Sequence, residues 1–536
     1  MEDGPLPDPK NRKEAHRQDA AGWTAAEGEE LKAHRDNKSW TEMDRSKLPP
    51  GRRLVNMTWA YKRKRSGRLK ARCCVQGCTQ VPGLDFDQSW CGTVRSQSLR
   101  SLAAIASQRG LHMHRWDFVT AFLQGSLEPG EVIYCRAPPG YGELGKDGRE
   151  RIIRVDKPIY GMAQAGRRWQ RSLFPWFKAQ GFRQLESDPS VFYKSRTSAS
   201  GVRECLIVGC YVDDLCCVHG DDSAGSLYSD FVEALQSRWK VEDEGPVSDL
   251  LNVEFRRSAD GEFTLTQTSY IDSMVARFLP ADDPLAKLSM TPCDGELENA
   301  VEQARSAKEK GAQVNADLQK EYQSLVGSLL YAATNSRPDI GYSVSMLGRA
   351  LSCPNDDLLE RARRVLRYLR AHRTIGLRYS ASSSTLYGMS DANWAVRHST
   401  SGSVFMFGEA AISWSSKKQP SVALSSCEAE IMAASEACKE AIYLRNFMAE
   451  LDEGDSAPLH LSVDNKAAID LAYNPEHHQK TKHIERRHFF IREVVESGKV
   501  VVPFVCSADN LADFFTKGLD STTFFSMRNR IMNVRE

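Results

Sequence analysis

Two adjacent acids, Asp213 and Asp214, stand between two apolar runs, residues 206–211 and 215–218, and the pattern reads as a tight hairpin with carboxylates at its tip. Carboxylates crowded there repel each other unless divalent cations bind between them and another acid. Asp117, where a strand beginning at Met113 is expected to end, is the natural third. Such a trio suits in-line nucleotidyl transfer, in which two Mg²⁺ ions roughly 3.5–4 Å apart bind the attacking hydroxyl and the leaving oxygens. Hard cations want oxygen ligands, and Mg²⁺ takes only one or two protein carboxylates each. An isolated Asp-Asp pair is more often an ordinary turn, so its neighbours decide.

Four further acids lie in the C-terminal part. Asp391 ends an expected strand over 386–390, Glu430 lies near the start of a long amphipathic helix, Asp464 ends a strand over 459–463, and Asp513 opens a helix after Asn510. Carboxylates at strand ends and helix starts can converge at one edge of a sheet and hold two Mg²⁺ for phosphodiester hydrolysis by water. Glu428 competes with Glu430, but Ser425-x-x-Glu428 is a capping box that gives Glu428 a structural role, so Glu430 is read as the ligand. His483 and His488 are read as structural or nucleic-acid-contacting, because no Cys partner stands near them.

These groups need elements to hold them. Residues 62–72 carry seven Lys or Arg around Ser66-Gly67, which reads as a hairpin with a cationic tip; a solvated face or an import signal would look the same. Residues 166–182 place Trp169, Leu173, Trp176 and Phe177 on one helical face, with Pro175 expected to kink or stop the helix. Residues 322–369 read as helical, broken at Arg337-Pro338-Asp339, and an α/β pattern of strands and helices follows from about Ser384. Residues 1–36 are expected to be a disordered lead-in or polyprotein junction, 291–321 a flexible connector, and 521–536 a tail.

Four motifs in order resemble the reverse transcriptase region of copia-type LTR retrotransposon Pol polyproteins. Tyr211-Val212-Asp213-Asp214 and Trp116-Asp117-Phe118-Val119-Thr120-Ala121-Phe122-Leu123 resemble its palm motifs. The run from Tyr160 to Trp169 resembles its dNTP-pocket motif, and Lys70-Ala71-Arg72-Cys73-Cys74-Val75-Gln76-Gly77 its fingers motif. Downstream, Ser390-Asp391-Ala392-Asn393-Trp394, Ser425-Ser426-Cys427-Glu428-Ala429-Glu430, Asp464-Asn465, Thr481-Lys482-His483-Ile484 and Leu511-Ala512-Asp513 resemble the family's RNase H. The resemblance implies that Asp117, Asp213 and Asp214 hold one pair of metals and Asp391, Glu430, Asp464 and Asp513 another. It implies that Arg72 with Lys70 grips the triphosphate, that Gln164 and the Phe118 backbone border the nucleotide, and that Phe122 stacks under the deoxyribose. The chain departs from the family at Gln76-Gly77, Cys91-Gly92-Thr93, Gly166-Arg167, Leu251-Asn252 and Asn393, and none of these removes a metal ligand.

The implied fold class is α+β: a right-hand polymerase (fingers, palm and thumb) over 37–290, a helical connection over 322–383, and an RNase H-like domain with a mixed five-stranded sheet over 384–520. The implied activities are RNA-directed DNA polymerase and ribonuclease H, using Mg²⁺ (two per site, Mn²⁺ the alternative). The implied partners are RNA template, DNA primer, RNA–DNA hybrid and dNTPs, together with upstream integrase and Gag products of the same element; nothing signals an oligomeric state. The expected location is cytoplasmic, in a virus-like particle, or nuclear. The competing reading is a degenerate or co-opted remnant that binds nucleic acid without catalysis. Composition neither adds nor removes support. The net charge is only +1, the 41% hydrophobic content is ample for large cores, and no apolar run reaches the roughly 20 residues a membrane span needs. The 14 Cys contain no Cys-x-x-Cys pair, and the adjacent pairs Cys73-Cys74 and Cys216-Cys217 read as buried thiols of an intracellular protein.

Overall fold

The computed structural model describes residues 8–63, 67–128, 130–197, 201–382, 385–395, 398–452, 457–473 and 485–535. Its first organising unit is a six-stranded antiparallel sheet in the order Val241–Pro246, His112–Phe118, Asp214–His219, Arg203–Tyr211, Val191–Thr197, Arg183–Gln184. Successive side chains of a strand point to opposite faces. Ile207, Cys216 and Val218 therefore join one apolar core, beneath the helix Ser96–Arg109, while Leu206, Val208, Leu215 and Cys217 join another, beneath the helix Ala165–Ala179. That double burial is why both strands are apolar without alternation and why two adjacent cysteines are buried. Pro175 neither stops nor divides the second helix, which runs on to Ala179 with Trp169, Leu173 and Phe177 buried.

Ahead of this sheet, Met57–Arg63 and Leu69–Val75 form the expected hairpin; its tip, residues 64–66, lies outside the described residues. The N-terminal segment is not a disordered lead-in over its whole length. Arg12–Asp36 is helical, kinked at Asp19, and packs against the hairpin with Trp23 buried. Its anchor is Glu27, fully buried, which accepts hydrogen bonds from Tyr61 Oη at 2.5 Å, Tyr141 Oη at 2.8 Å and Arg12 Nε at 3.2 Å. The helix carries little apolar periodicity because a buried, hydrogen-bonded acid does part of the work that an apolar stripe usually does.

The connector expected over 291–321 contains the helix Leu297–Glu309, which buries Leu297, Ala300, Val301 and Ala304 at helical spacing beneath a charged outer face. The break at Arg337-Pro338-Asp339 is present as a 3-10 turn, Pro338–Ile340, between the helices Ala316–Asn335 and Gly341–Gly348. The C-terminal sheet is mixed and five-stranded, in the order Ala410–Lys418, Thr400–Phe407, Tyr387–Asn393, Leu459–Ser462, Val500–Val501. Its first three strands are antiparallel and its last two parallel to their neighbours. The helix Ser426–Glu450 packs on it. The tail is ordered as the helix Ser521–Met532, capped by Asp520 and burying Phe524, Met527, Ile531 and Met532.

The divisions drawn at 290, 321 and 383 do not separate cores. One apolar cluster runs from the palm helix through the connection helices into the C-terminal sheet. Arg100 of the palm helix crosses that junction, donating to Ile412 O at 2.7 Å and to Thr334 O and Asn335 O at 2.8 Å, with its guanidinium over Trp414. Among the described residues no helix is long and apolar enough to cross a membrane.

Candidate active sites

The two-residue turn Val212-Asp213 joins the strands ending at Tyr211 and starting at Asp214, and Asp214 faces Asp117 directly across the sheet. Val212 adopts φ +56°, an unusual conformation for a β-branched residue that surrounding contacts must hold. They do: Trp169 Nε1 donates to Val212 O at 2.6 Å and Phe118 N to Asp213 O at 2.8 Å. The tryptophan of one motif and the backbone of a second thereby fix the turn of a third. Burial, then Asp213 and Asp214, push the Asp117 carboxyl up to about 6, and burial raises that of Asp214. The part of that rise that comes from neighbouring carboxylates is relieved equally by a bound cation.

Above the acids lies a cavity of about 220 Å³ whose wall includes Lys70, Arg72, Asp117, Asp213, Tyr160 and Glu242. Arg72 sits over the Tyr160 ring, 4.5 Å from its centroid. The backbone at Phe118 borders this space, while the Phe118 side chain is buried against Trp169. Phe122 packs against Tyr160 at 4.7 Å between centroids and, unlike Tyr160, is not among the residues lining the cavity. Gln164 is not brought to the cavity. It is fully buried, with Oε1 accepting from Gln80 Nε2 at 3.1 Å and Nε2 donating to Asp85 O at 3.3 Å. The sequence reading missed the other wall: Ala26, Glu29, Glu30 and Ala33 of the N-terminal helix, with Glu29 paired to Arg68 at 3.1 Å.

The second constellation forms at one end of the C-terminal sheet. Asp391 lies inside the strand Tyr387–Asn393, which runs past the expected end; Asp464 follows the strand Leu459–Ser462; Asp513 sits in the 3-10 turn Leu511–Phe515. Ligand oxygens of these three lie within 4.8 Å of one another. Thr516 Oγ1 donates to Asp391, Ser507 Oγ to Asp464 Oδ2 at 2.6 Å, and Lys517 Nζ reaches Asp513 Oδ2 at 2.6 Å. Lys517, four residues after Asp513, was findable by helical spacing. Glu428 caps the helix as expected. Its N–H donates to Ser425 Oγ at 3.1 Å, and its carboxylate accepts from Leu424 N at 2.6 Å. Glu430 is buried like Glu428 but makes no such cap, and burial, then Asp391 and Asp464, push its carboxyl up to about 9. Burial and Asp513 push Asp391 up to about 7. Glu430 Oε2 and Asp513 Oδ1 are buried and without a hydrogen-bond partner among the described residues. An all-oxygen donor set with orphaned oxygens fits a hard divalent cation. His483 lies outside the described residues, as does the His488 side chain.

These raised values set a pH dependence. The folded protein keeps a proton on Glu430 between about 4.5 and about 9, where the unfolded chain has lost it, so folding gains stability below about 4.5 that declines as pH rises and is gone above about 9. At pH 8 in EDTA, Glu430→Gln therefore melts higher than the parent, by about 2–4 °C. At pH 4.5 the difference closes. Scanning calorimetry at both pH values checks this; a variant that melts lower at pH 8 would separate Glu430 from the other carboxylates.

A twisted palm sheet with three acids at its strand ends, a cationic hairpin across a cavity, and a second carboxylate cluster on a mixed five-stranded sheet define a right-hand polymerase joined to an RNase H-like module. Residues 37–287 match the family model described as reverse transcriptase (RNA-dependent DNA polymerase). The chain is 34% identical over 488 residues to the Retrovirus-related Pol polyprotein from transposon TNT 1-94 of Nicotiana tabacum, covering 89% of this chain and 35% of that protein. It is 31% identical over 331 residues to a transposon Ty5-1 protein of Saccharomyces cerevisiae, covering 60% of this chain and 99% of that protein. The solved foamy viral protease-reverse transcriptase in complex with dsDNA shares the fold, with a TM-score of 0.50 at 11% identity over 90% of this chain and 83% of that one. The chain belongs to the reverse transcriptase family of copia-type retrotransposon Pol polyproteins. It spans about a third of the length of the Pol polyproteins it matches.

Proposed function

We propose that this chain extends a primer 3′-OH with dNTPs on an RNA or DNA template and then cuts the RNA strand of the hybrid. The observation that carries the reading is that Asp117 and Asp213 share the wall of one cavity with Lys70 and Arg72, while Asp214 stands cross-strand from Asp117. Asp117, Asp213 and Asp214 would hold Mg²⁺ in the polymerase site, and Asp391, Glu430, Asp464 and Asp513 in the ribonuclease site, with Mn²⁺ the alternative. When bound, the ions neutralise charge on the transferring phosphate and acidify the attacking hydroxyl or water. Arg72, held flat on Tyr160, and Lys70 bind the triphosphate oxygens. The Phe118 backbone would border the sugar, and Phe122, packed on Tyr160, would stack under the deoxyribose and exclude a 2′-OH. In the second site Thr516 orients Asp391, and Lys517 balances part of the charge that four acids bring together.

The nucleic-acid partners follow from the same reading, since the foamy viral neighbours were solved with dsDNA and with an RNA/DNA hybrid. Backbone phosphates dominate such binding, so affinity falls steeply with salt. Integrase and Gag products of the same element, and a virus-like particle in the cytoplasm or the nucleus, complete the proposal. The test is Mg²⁺-dependent dTTP incorporation on poly(rA) primed with oligo(dT), followed by release of labelled RNA from the hybrid. Both activities are expected. A folded protein that binds hybrid but incorporates nothing is a binding-only remnant, and the proposal fails.

A further inference from the structure

The three palm acids are not equivalent. Asp117 and Asp213 line the nucleotide cavity, together with Glu242, which pairs with Asp117 across the neighbouring strand; Asp214 does not line it. Asp214 is instead paired with Arg115. Arg115 lies two residues before Asp117 on the same strand, so both side chains leave the same face. Arg115 donates through Nε at 2.9 Å and Nη2 at 2.8 Å to one oxygen, Oδ1, of Asp214. Its Nη1 donates at 2.9 Å to Asp249 O, on a separate hairpin that begins beside the palm. The guanidinium is thus anchored at both ends, and about three-quarters of each side chain in the pair is out of solvent. Glu244 adds a further negative field on Asp214 and Arg115. Charge-assisted forks of this kind are among the stronger protein hydrogen bonds and are directional.

We propose that Arg115 is a positioning residue of the palm site: it draws Asp214 off the cavity and leaves Asp117 and Asp213 as the pair that meets divalent cations first. The inference rests on the metal-dependent polymerase reading above, but its primary readout is cation binding and not turnover. Arg115 has two effects that its removal separates. It withdraws one carboxylate from the cation, and it places a positive charge beside the cluster. Without it, Asp214 is free to turn inward and the local field becomes more negative, so cations bind tighter in an arrangement unsuited to a primer terminus and triphosphate.

The experiment titrates free Mn²⁺ by electron spin resonance with the full chain carrying Asp391→Asn, which weakens the second site. Arg115→Gln is expected to bind Mn²⁺ roughly tenfold tighter at the palm site, as loss of a nearby positive charge requires. The same variant incorporates dTTP at least tenfold more slowly with KM for dTTP unchanged. Arg115→Lys keeps the charge and loses the fork, so Asp214 turns inward and Mn²⁺ binds tighter than in the parent, by a smaller factor than in Arg115→Gln, while incorporation remains slow. Adding Asp214→Asn to Arg115→Gln returns Mn²⁺ affinity to the parental value. Mn²⁺ affinity unchanged or weakened in a folded Arg115→Gln protein overturns the proposal. If Arg115→Gln does not fold, Arg115→Lys decides: parental incorporation by that variant overturns the proposal equally. A parent that incorporates nothing while Arg115→Gln still tightens Mn²⁺ sinks the polymerase reading and leaves this inference standing.

Discussion

Replacing Asp213 with Asn lowers Mg²⁺-dependent dTTP incorporation by about three orders of magnitude, roughly 4 kcal/mol of transition-state stabilisation, while cutting of a preformed RNA–DNA hybrid is retained. Asn matches Asp in shape and removes only the charge, and Asp213 stands at the turn that Val212 and Trp169 hold in place, so the hairpin survives the exchange. The cavity has Asp117 as its other palm acid and Glu242 on the neighbouring strand. Asp214 cannot take over without abandoning Arg115. Asp391, and Asp464 just past the end of its strand, belong to a different sheet from Asp117 and Asp214. Single-turnover incorporation beside hybrid cleavage, on the same preparation, measures both. Residual incorporation within tenfold of the parent would mean that Asp213 does not hold the cation.

Arg337→Ala costs about 3–5 kcal/mol of folding stability, because it strands a buried carboxylate. Arg337 and Asp339 are both inaccessible to solvent. Nε and Nη2 donate to the two Asp339 oxygens at 2.9 and 2.6 Å, Nη1 donates to His372 O at 2.9 Å, and Tyr368 Oη donates to Asp339 Oδ2 at 2.7 Å. Burial pushes the Asp339 carboxyl up, but Arg337 and Tyr368 outweigh it and keep the group below its ordinary range. The unit locks the turn at Pro338 to the helix Asp356–Ala371, in the core that the palm helix and the C-terminal sheet share. Thermal unfolding is therefore expected to fall by roughly 10 °C, with polymerase and hybrid-cutting activities lost together. The double replacement Arg337→Met with Asp339→Leu recovers a large part of the loss, since a buried pair is often exchangeable for apolar side chains. A fall of less than about 2 °C in the single variant would show that water reaches Asp339.

The Asp-Asp turn, the cationic hairpin, the break at Pro338 and the cap at Ser425 were legible because each is a local pattern: a turn between apolar runs, an i to i+3 cap, a proline in a helix. The same locality explains what was misread. Residues 12–36 lack an apolar stripe because Glu27 is held by Tyr61 and Tyr141, distant in sequence, and no local pattern records that. Residues 297–309 do carry a buried spacing, hidden under Glu, Gln and Lys on the other face. Gln164 had a motif to recommend it, yet its amide is spent on Gln80 and Asp85. Residue type and period alone settle which side chains can carry charge, where the chain must turn, and that 206–211 and 215–218 are apolar runs flanking two acids. Tertiary contacts alone turn Asp214 toward Arg115 while Asp213 faces the cavity, bury the Gln164 amide against Gln80 and Asp85, and set an N-terminal helix in the cavity wall. Those outcomes depend on which groups meet across the fold, and a carboxylate next to an arginine, a carboxylate next to other carboxylates and a carboxylate between tyrosines are the same residue until the chain has closed around them.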